Sequence, residues 1–167
     1  MQLSAQQIKF RDDFLSPLKQ RLYFLKNLPM GFISGIRLIY LDQKKSVVTV
    51  PDRWLNKNPF NSMYFAVQSM AAELSTAAPV MLVLHGVDAS IALIIVKIRA
   101  DFVKKARSEL TFVCQDYEKI SNAIAELKQA GDSTTVTVKT IGRDVDGDEV
   151  ARFYFTWSFK RRVSRHI

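Results

Sequence analysis

The chain has 167 residues with 24 Lys+Arg against 16 Asp+Glu, a formal charge of +8, and 48% of its residues are apolar. This is a globular composition at a length that suits one domain with a full core, which argues against both disorder and a two-domain chain. The single cysteine, Cys114, excludes an internal disulfide framework and a Cys-based zinc site, while the excess of cations admits an anionic partner without choosing one.

Met1 to Phe14 lacks the apolar segment of a signal peptide, and the longest apolar run, Val80 to Val96, is interrupted by His85, Gly86, Asp88 and Ser90. The expectation is a cytoplasmic protein without a membrane span. Phe10, Phe14, Leu18, Leu22 and Leu25 recur at helical spacing, with Lys9, Arg11, Lys19, Arg21 and Lys26 elsewhere on the wheel. Ser16-Pro17 divides this segment, Ser16 capping a second helix that opens on Pro17. The stripe predicts helices packed on their own domain rather than on a membrane. Residues 1–32 therefore read as a helical extension of a single domain over 33–167.

Strands follow. Ile36 to Leu41, a turn at Asp42–Lys45 and the β-branched Ser46 to Val50 form a hairpin. Asn58-Pro59 has the form of a helix opening, and Asn58 to Pro79 is apolar on all sides, the pattern of a buried helix. Ile91 to Ile98 reads as a central strand covered on both faces. Glu109 to Cys114 is another strand, and Ile120, Ala123, Ile124 and Leu127 mark a short helix stopped at Gly131. Thr134 to Ile141 and Val150 to Phe159 complete the set, joined through the Asp146-Gly147 hairpin signal. The last strand alternates, with Ala151, Phe153, Phe155, Trp157 and Phe159 facing one way. The fold class is α+β, with one antiparallel sheet and one buried helix.

Several chemistries are absent. No Gly-x-Gly turn, phosphate loop or Gly-x-Ser-x-Gly elbow occurs. His85 and His166 stand apart from carboxylates at ligand spacing and read as structural. Asp144, Asp146, Asp148 and Glu149 fail the calcium-loop pattern and read as a solvated hairpin tip. Glu73 is different: it is the only charged side chain between Lys57 and Asp88. Ser62, Ser69, Glu73 and Thr76 share one helix face as a thin polar seam. A lone buried carboxylate has a raised pKa and is suited to act as a base or nucleophile. A Glu tied to backbone amides or Arg for fold specificity is the other reading.

Asn58-Pro59-Phe60, followed by a helix with Glu73 at its centre, resembles the central helix of the hotdog-fold thioesterases. The likeness is to the acyl-CoA and aryl-CoA thioesterases of the phenylacetate and menaquinone pathways. Aligned without gaps, Asn58 takes the family's loop-amide position, Tyr64 its His, Phe65 and Ala66 its two Gly, and Glu73 its acid. The chain thus resembles a diverged branch without His-Gly-Gly. The resemblance spans about Ile33 to Phe159 and implies a long antiparallel sheet wrapped around one central buried helix, here with an N-terminal helical extension and a short extra helix over Glu118–Ala130. It implies thioester hydrolysis by Glu73, with the Phe65 amide as oxyanion donor and Asn58 and Tyr64 assisting. Ser69 and Thr76 would border the substrate, and Lys104, Lys105 and Arg107 would meet the phosphates of coenzyme A. The implied substrate is an acyl-CoA or an acyl-carrier-protein thioester, coenzyme A entering only as part of substrate. No metal and no other cofactor is expected. The implied assembly is a homodimer or dimer of dimers. A non-catalytic hotdog module holding an acyl or aromatic ligand is the alternative. A nucleic-acid or membrane-surface binder working through a basic tail of Lys160, Arg161, Arg162 and Arg165 is a third.

Overall fold

The computed structural model describes residues 2–162; the expectations for Arg165 and His166 lie outside them. Helices α1 (Ala5–Leu15), α2 (Pro17–Asn27) and α3 (Pro29–Ser34) precede the hairpin β1 (Arg37–Leu41) and β2 (Ser46–Val50). The central helix α4 (Phe65–Leu84) follows, then β3 (Ile91–Phe102), β4 (Leu110–Cys114), α5 (Tyr117–Ala125), β5 (Ser133–Arg143) and β6 (Glu149–Arg161). The strands form one six-stranded sheet in the order β1-β2-β4-β5-β6-β3, and every neighbouring pair is antiparallel.

The division at Ser16-Pro17 is present, but two details differ from expectation. The Ser16 hydroxyl makes no capping bond; the capped helix is α1, where Ser4 and Gln7 form a reciprocal capping box. The Leu18, Leu22 and Leu25 stripe faces outward, with Leu18 69% exposed, while Phe14 and Phe24 enter the core. The break at Pro17 re-phases α2, so that Gln20 takes an inward position. Its amide donates to the Phe14 and Leu38 carbonyls at 2.7 and 3.0 Å and accepts from the Leu38 amide at 3.2 Å, which satisfies a buried polar group completely.

Helix α4 begins seven residues later than Asn58 and runs through Pro79. Asn58 instead organises a turn, its Oδ1 accepting from the Phe60 amide at 2.9 Å and the Ser62 amide at 3.3 Å. Pro79 lacks the N–H that would bond the Ser75 carbonyl. The Ser46 hydroxyl of β2 donates to that carbonyl, so the helix continues without a buried orphan acceptor. Although α4 is long and apolar enough to cross a membrane (mean hydropathy 1.3), 72% of that window is buried inside the protein. The sheet encloses it.

The β6 alternation is realised: Ala151, Phe153, Phe155, Trp157 and Phe159 are all buried against the core. Ile120, Ala123, Ile124 and Leu127 likewise seat the shorter α5. By contrast, β3 is an edge strand rather than a covered central one. It pairs with β6 along its whole length, and its other edge meets no strand among the described residues. Leu93, Ile98 and Phe102 oppose the inward Phe159, Phe155 and Ala151, yet all three are exposed because α4 does not extend over this edge. Ile94 is 64% exposed on the other face.

The predicted loose basic tail is partly strand: Lys160 and Arg161 end β6, and the Arg161 guanidinium donates to the Leu127 and Lys128 carbonyls. His85 caps the end of α4 and stacks on Phe10 with ring centroids 4.1 Å apart, a structural placement. Cys114 is buried in β4, and burial pushes its thiol up to about 12, so it carries no thiolate at neutral pH.

Candidate active site

The backbone leading into α4 is fixed from several directions. The Asn56 side-chain amide donates to the Ser34 and Pro51 carbonyls at 2.9 and 2.8 Å, and its backbone carbonyl accepts from the Tyr64 amide at 2.7 Å. The Met63 amide donates to the Ala106 carbonyl at 2.8 Å. These bonds set Tyr64 as the N-cap in extended backbone and Phe65 as the first helical residue. The Tyr64 carbonyl accepts from Val67 and Gln68. The amides of Phe65 and Ala66 have no acceptor among the described residues, as expected at a helix start without a side-chain cap. They carry the positive end of a 20-residue helix dipole.

Beside this helix start lies an open cavity of about 360 Å³ whose lining includes Asn58, Phe65, Gln68, Phe102, Lys104 and Lys105. It therefore brings together four of the residues expected from sequence, one at the helix start, one in the preceding turn and two past the end of β3. Asn58 spends its oxygen on its own turn, which leaves its NH2 as the donor available to a ligand. The Lys104 ammonium sits 2.7 Å from Asp144 and 2.6 Å from Asp148. Both carboxylates push the Lys104 pKa up, so its charge is already matched within the chain rather than free for a phosphate. Three members of the acidic hairpin tip are ion-paired rather than merely solvated, since Glu149 pairs with Arg152 as well. Arg107 is exposed and does not line the cavity, and the Tyr64 hydroxyl makes no bond among the described residues.

Glu73 stands apart from this cavity. It lies on the one incompletely buried stripe of α4, with Ala66, Met70, Ala77 and Met81. Its carboxylate has no hydrogen-bond or ion-pair partner among the described residues, and burial pushes its pKa up from the ordinary glutamate value. The polar seam expected around it is largely used internally. The Ser69 hydroxyl donates to the Phe65 carbonyl at 2.9 Å and the Thr76 hydroxyl to the Glu73 carbonyl at 2.9 Å. Thr76 also accepts from Trp157 Nε1 at 3.2 Å, which ties this part of α4 to β6. Ser62 precedes the helix and belongs to the Asn58 turn.

Sequence reading missed Gln68. It is only 4% exposed, its NH2 donates to the Met63 carbonyl at 3.0 Å, and its Oε1 has no partner among the described residues. It fixes the chain entering the helix. The signal available in sequence is a long amide side chain inside an otherwise apolar helix.

A family model described as a domain of unknown function, DUF4442, matches residues 27–159. The chain belongs to the DUF4442 family. No curated protein matches this DUF4442 chain in sequence. Its fold, however, is shared with solved structures. PA5026 of Pseudomonas aeruginosa, described as of unknown function and a probable thioesterase, is 21% identical with a TM-score of 0.72, over 87% of this chain and 97% of that one. A mutant form of the thioesterase PA1618 from the same organism is 20% identical with a TM-score of 0.64, over 87% and 96%. The thioesterase HI1161 of Haemophilus influenzae is 14% identical with a TM-score of 0.63, over 87% and 92%. At these identities the likeness establishes the hotdog fold of the DUF4442 chain.

Proposed function

We propose that this protein hydrolyses an acyl thioester, an acyl-CoA or an acyl-carrier-protein conjugate, with Glu73 as base or nucleophile. The observation that carries this reading is the unpartnered, desolvated carboxylate of Glu73 on the open stripe of the central helix. No group of the folded chain is seen to bind this carboxylate, and partial burial raises its pKa, which suits a general base. The amides of Phe65 and Ala66, with the Asn58 NH2, are donors suited to the oxyanion of a tetrahedral intermediate. The hydrolase names of several fold relatives agree with this chemistry.

Geometry within one chain supports a site shared by two copies. Glu73 is eight residues beyond Phe65, about 12 Å along the axis at the usual helical rise. One carbonyl cannot touch both. A two-fold pairing of β3 edges would continue the sheet and cover Leu93, Ile98 and Phe102. It would also lay the Glu73 stripe against a second chain, whose helix start could supply the missing donors. We therefore read the active unit as a homodimer, working without a metal or further cofactor, in the cytoplasm.

A non-catalytic ligand holder is favoured by one observation: the Phe65 side chain, 55% exposed, stands where the family resemblance places glycine. The discriminating experiment is thiol release from short, long and aromatic acyl-CoAs by the purified protein. Turnover of at least one class above the buffer rate is expected. Saturable binding of these thioesters without thiol release would replace hydrolysis by ligand holding.

A further inference from the structure

A second concavity lies away from the Glu73 stripe, between α2, α3, the start of β1 and the segment after β2. Its volume is about 190 Å³, and its lining includes Arg21, Phe24, Phe32, Gly35, Arg37 and Arg53. Three guanidinium-bearing side chains from three different parts of the chain thus border one small recess. None of them meets a carboxylate among the described residues. No carboxylate lines the recess; Asp52, next to Arg53 in the chain, pairs through Oδ2 with Lys57 at 3.4 Å, and its Oδ1 has no partner among the described residues.

Two of the arginines are held by packing. The Arg53 guanidinium lies close to Gly35, where an added Cβ would fall 2.7 Å from its Nη1. Gly35 has φ +72°, a backbone conformation that favours glycine. The Arg21 Cζ sits 5.6 Å from the centroid of the Phe32 ring, a cation–π arrangement. Like charges gathered around one recess repel, and the packing that holds them is stabilised when an anion enters.

We propose that this recess is a binding site for a phosphoryl dianion. Guanidinium forks match the oxygen spacing of a phosphoryl group, and three cations suit a doubly charged group with three outer oxygens better than a singly charged carboxylate. The volume falls below the roughly 300–1,000 Å³ of pockets that enclose whole ligands, so the site takes one group, free or carried on a larger ester. It contains none of the residues assigned to hydrolysis, and its test needs no turnover.

The test is a titration followed by backbone amide NMR at constant ionic strength. Its probes are inorganic phosphate, adenosine 3′,5′-bisphosphate and, as the carboxylate control, acetate. Saturable shifts at Gly35, Ile36, Arg37 and Arg53 are expected with phosphate, with affinity falling about tenfold or more in the Arg37→Gln/Arg53→Gln protein. The single Arg21→Gln variant, on an exposed helix surface, gives the same reading if the double variant unfolds. Tighter binding of the bisphosphate than of the free ion would assign the group to a nucleotide ester, and equal binding to free phosphate; both support the site. Non-saturating shifts, acetate binding as tight as phosphate, or unchanged affinity in the variants would overturn it.

Discussion

Replacing Glu73 by Gln is expected to lower the rate of thioester hydrolysis about a thousandfold while leaving the unfolding midpoint equal or higher. The amide keeps the shape of the side chain but cannot take a proton or attack a carbonyl. Stability should not fall, because a carboxylate with no partner is replaced by a neutral group that costs less to desolvate. The pH dependences of rate and stability then run in opposite directions. With Glu73 as the base, hydrolysis by the wild type is expected to rise as pH climbs through its elevated pKa, since the base must be ionised. Between the ordinary glutamate value and that elevated value the folded protein holds a proton that the unfolded chain has released. Stability contributed by the protonated group is therefore lost as pH rises through the folded value. Thermal unfolding across this range should slope downward in the wild type relative to the Gln variant. A variant of normal activity, or one with the same pH slope, would remove Glu73 from the chemistry.

Charging the open edge should have a comparable effect by another route. Substituting Ile94→Lys together with Ile98→Lys is expected to convert a particle of twice the chain mass into one of 19.1 kDa. Both residues lie on β3, one on each face, and both are exposed in the single chain. Lysine at an unpaired edge opposes strand addition through repulsion and hydration. The fold of each chain should survive, because β3 keeps its full ladder to β6. Hydrolysis should nevertheless drop about a hundredfold or more, since a second chain no longer brings oxyanion donors within reach of Glu73. Light scattering with activity measured on the same fraction checks this. A wild type that already runs at 19.1 kDa, or a monomeric variant of full activity, would contradict the shared site.

The elements that sequence made legible are those whose pattern has one physical cause. The β6 alternation, the β1–β2 hairpin and the amphipathic α5 each present an apolar face to the same core. Where two causes compete, the pattern misleads. The β3 run is apolar on both faces, as a strand under two helix layers would be, yet α4 leaves its edge uncovered. The Leu18–Leu22–Leu25 stripe has ideal spacing, but Pro17 turns it outward and a hydrogen-bonded Gln20 takes an inward position. Pro79 suggested a helix end because its lost bond was visible in sequence, whereas the replacement from Ser46, far away in the chain, was not. Glu73 was legible in sequence as an isolated acid, and the structure leaves its carboxylate without a partner among the described residues. The Lys104 pairing with Asp144 and Asp148 and the inward Gln68 depend on tertiary approach and were hidden.

The most direct test of a hydrolase whose acid and oxyanion donors come from different chains uses two inactive proteins together. Glu73→Gln and Asn58→Ala each damage one half of the site. Mixed through refolding or co-expression, half of the dimers are heterodimers, and each of these holds one intact site assembled from the undamaged halves. Activity should return to about a quarter of the wild-type rate. If the mixture stays as inactive as its components, although heterodimers are present by mass, acid and donors do not act across the interface and the account fails.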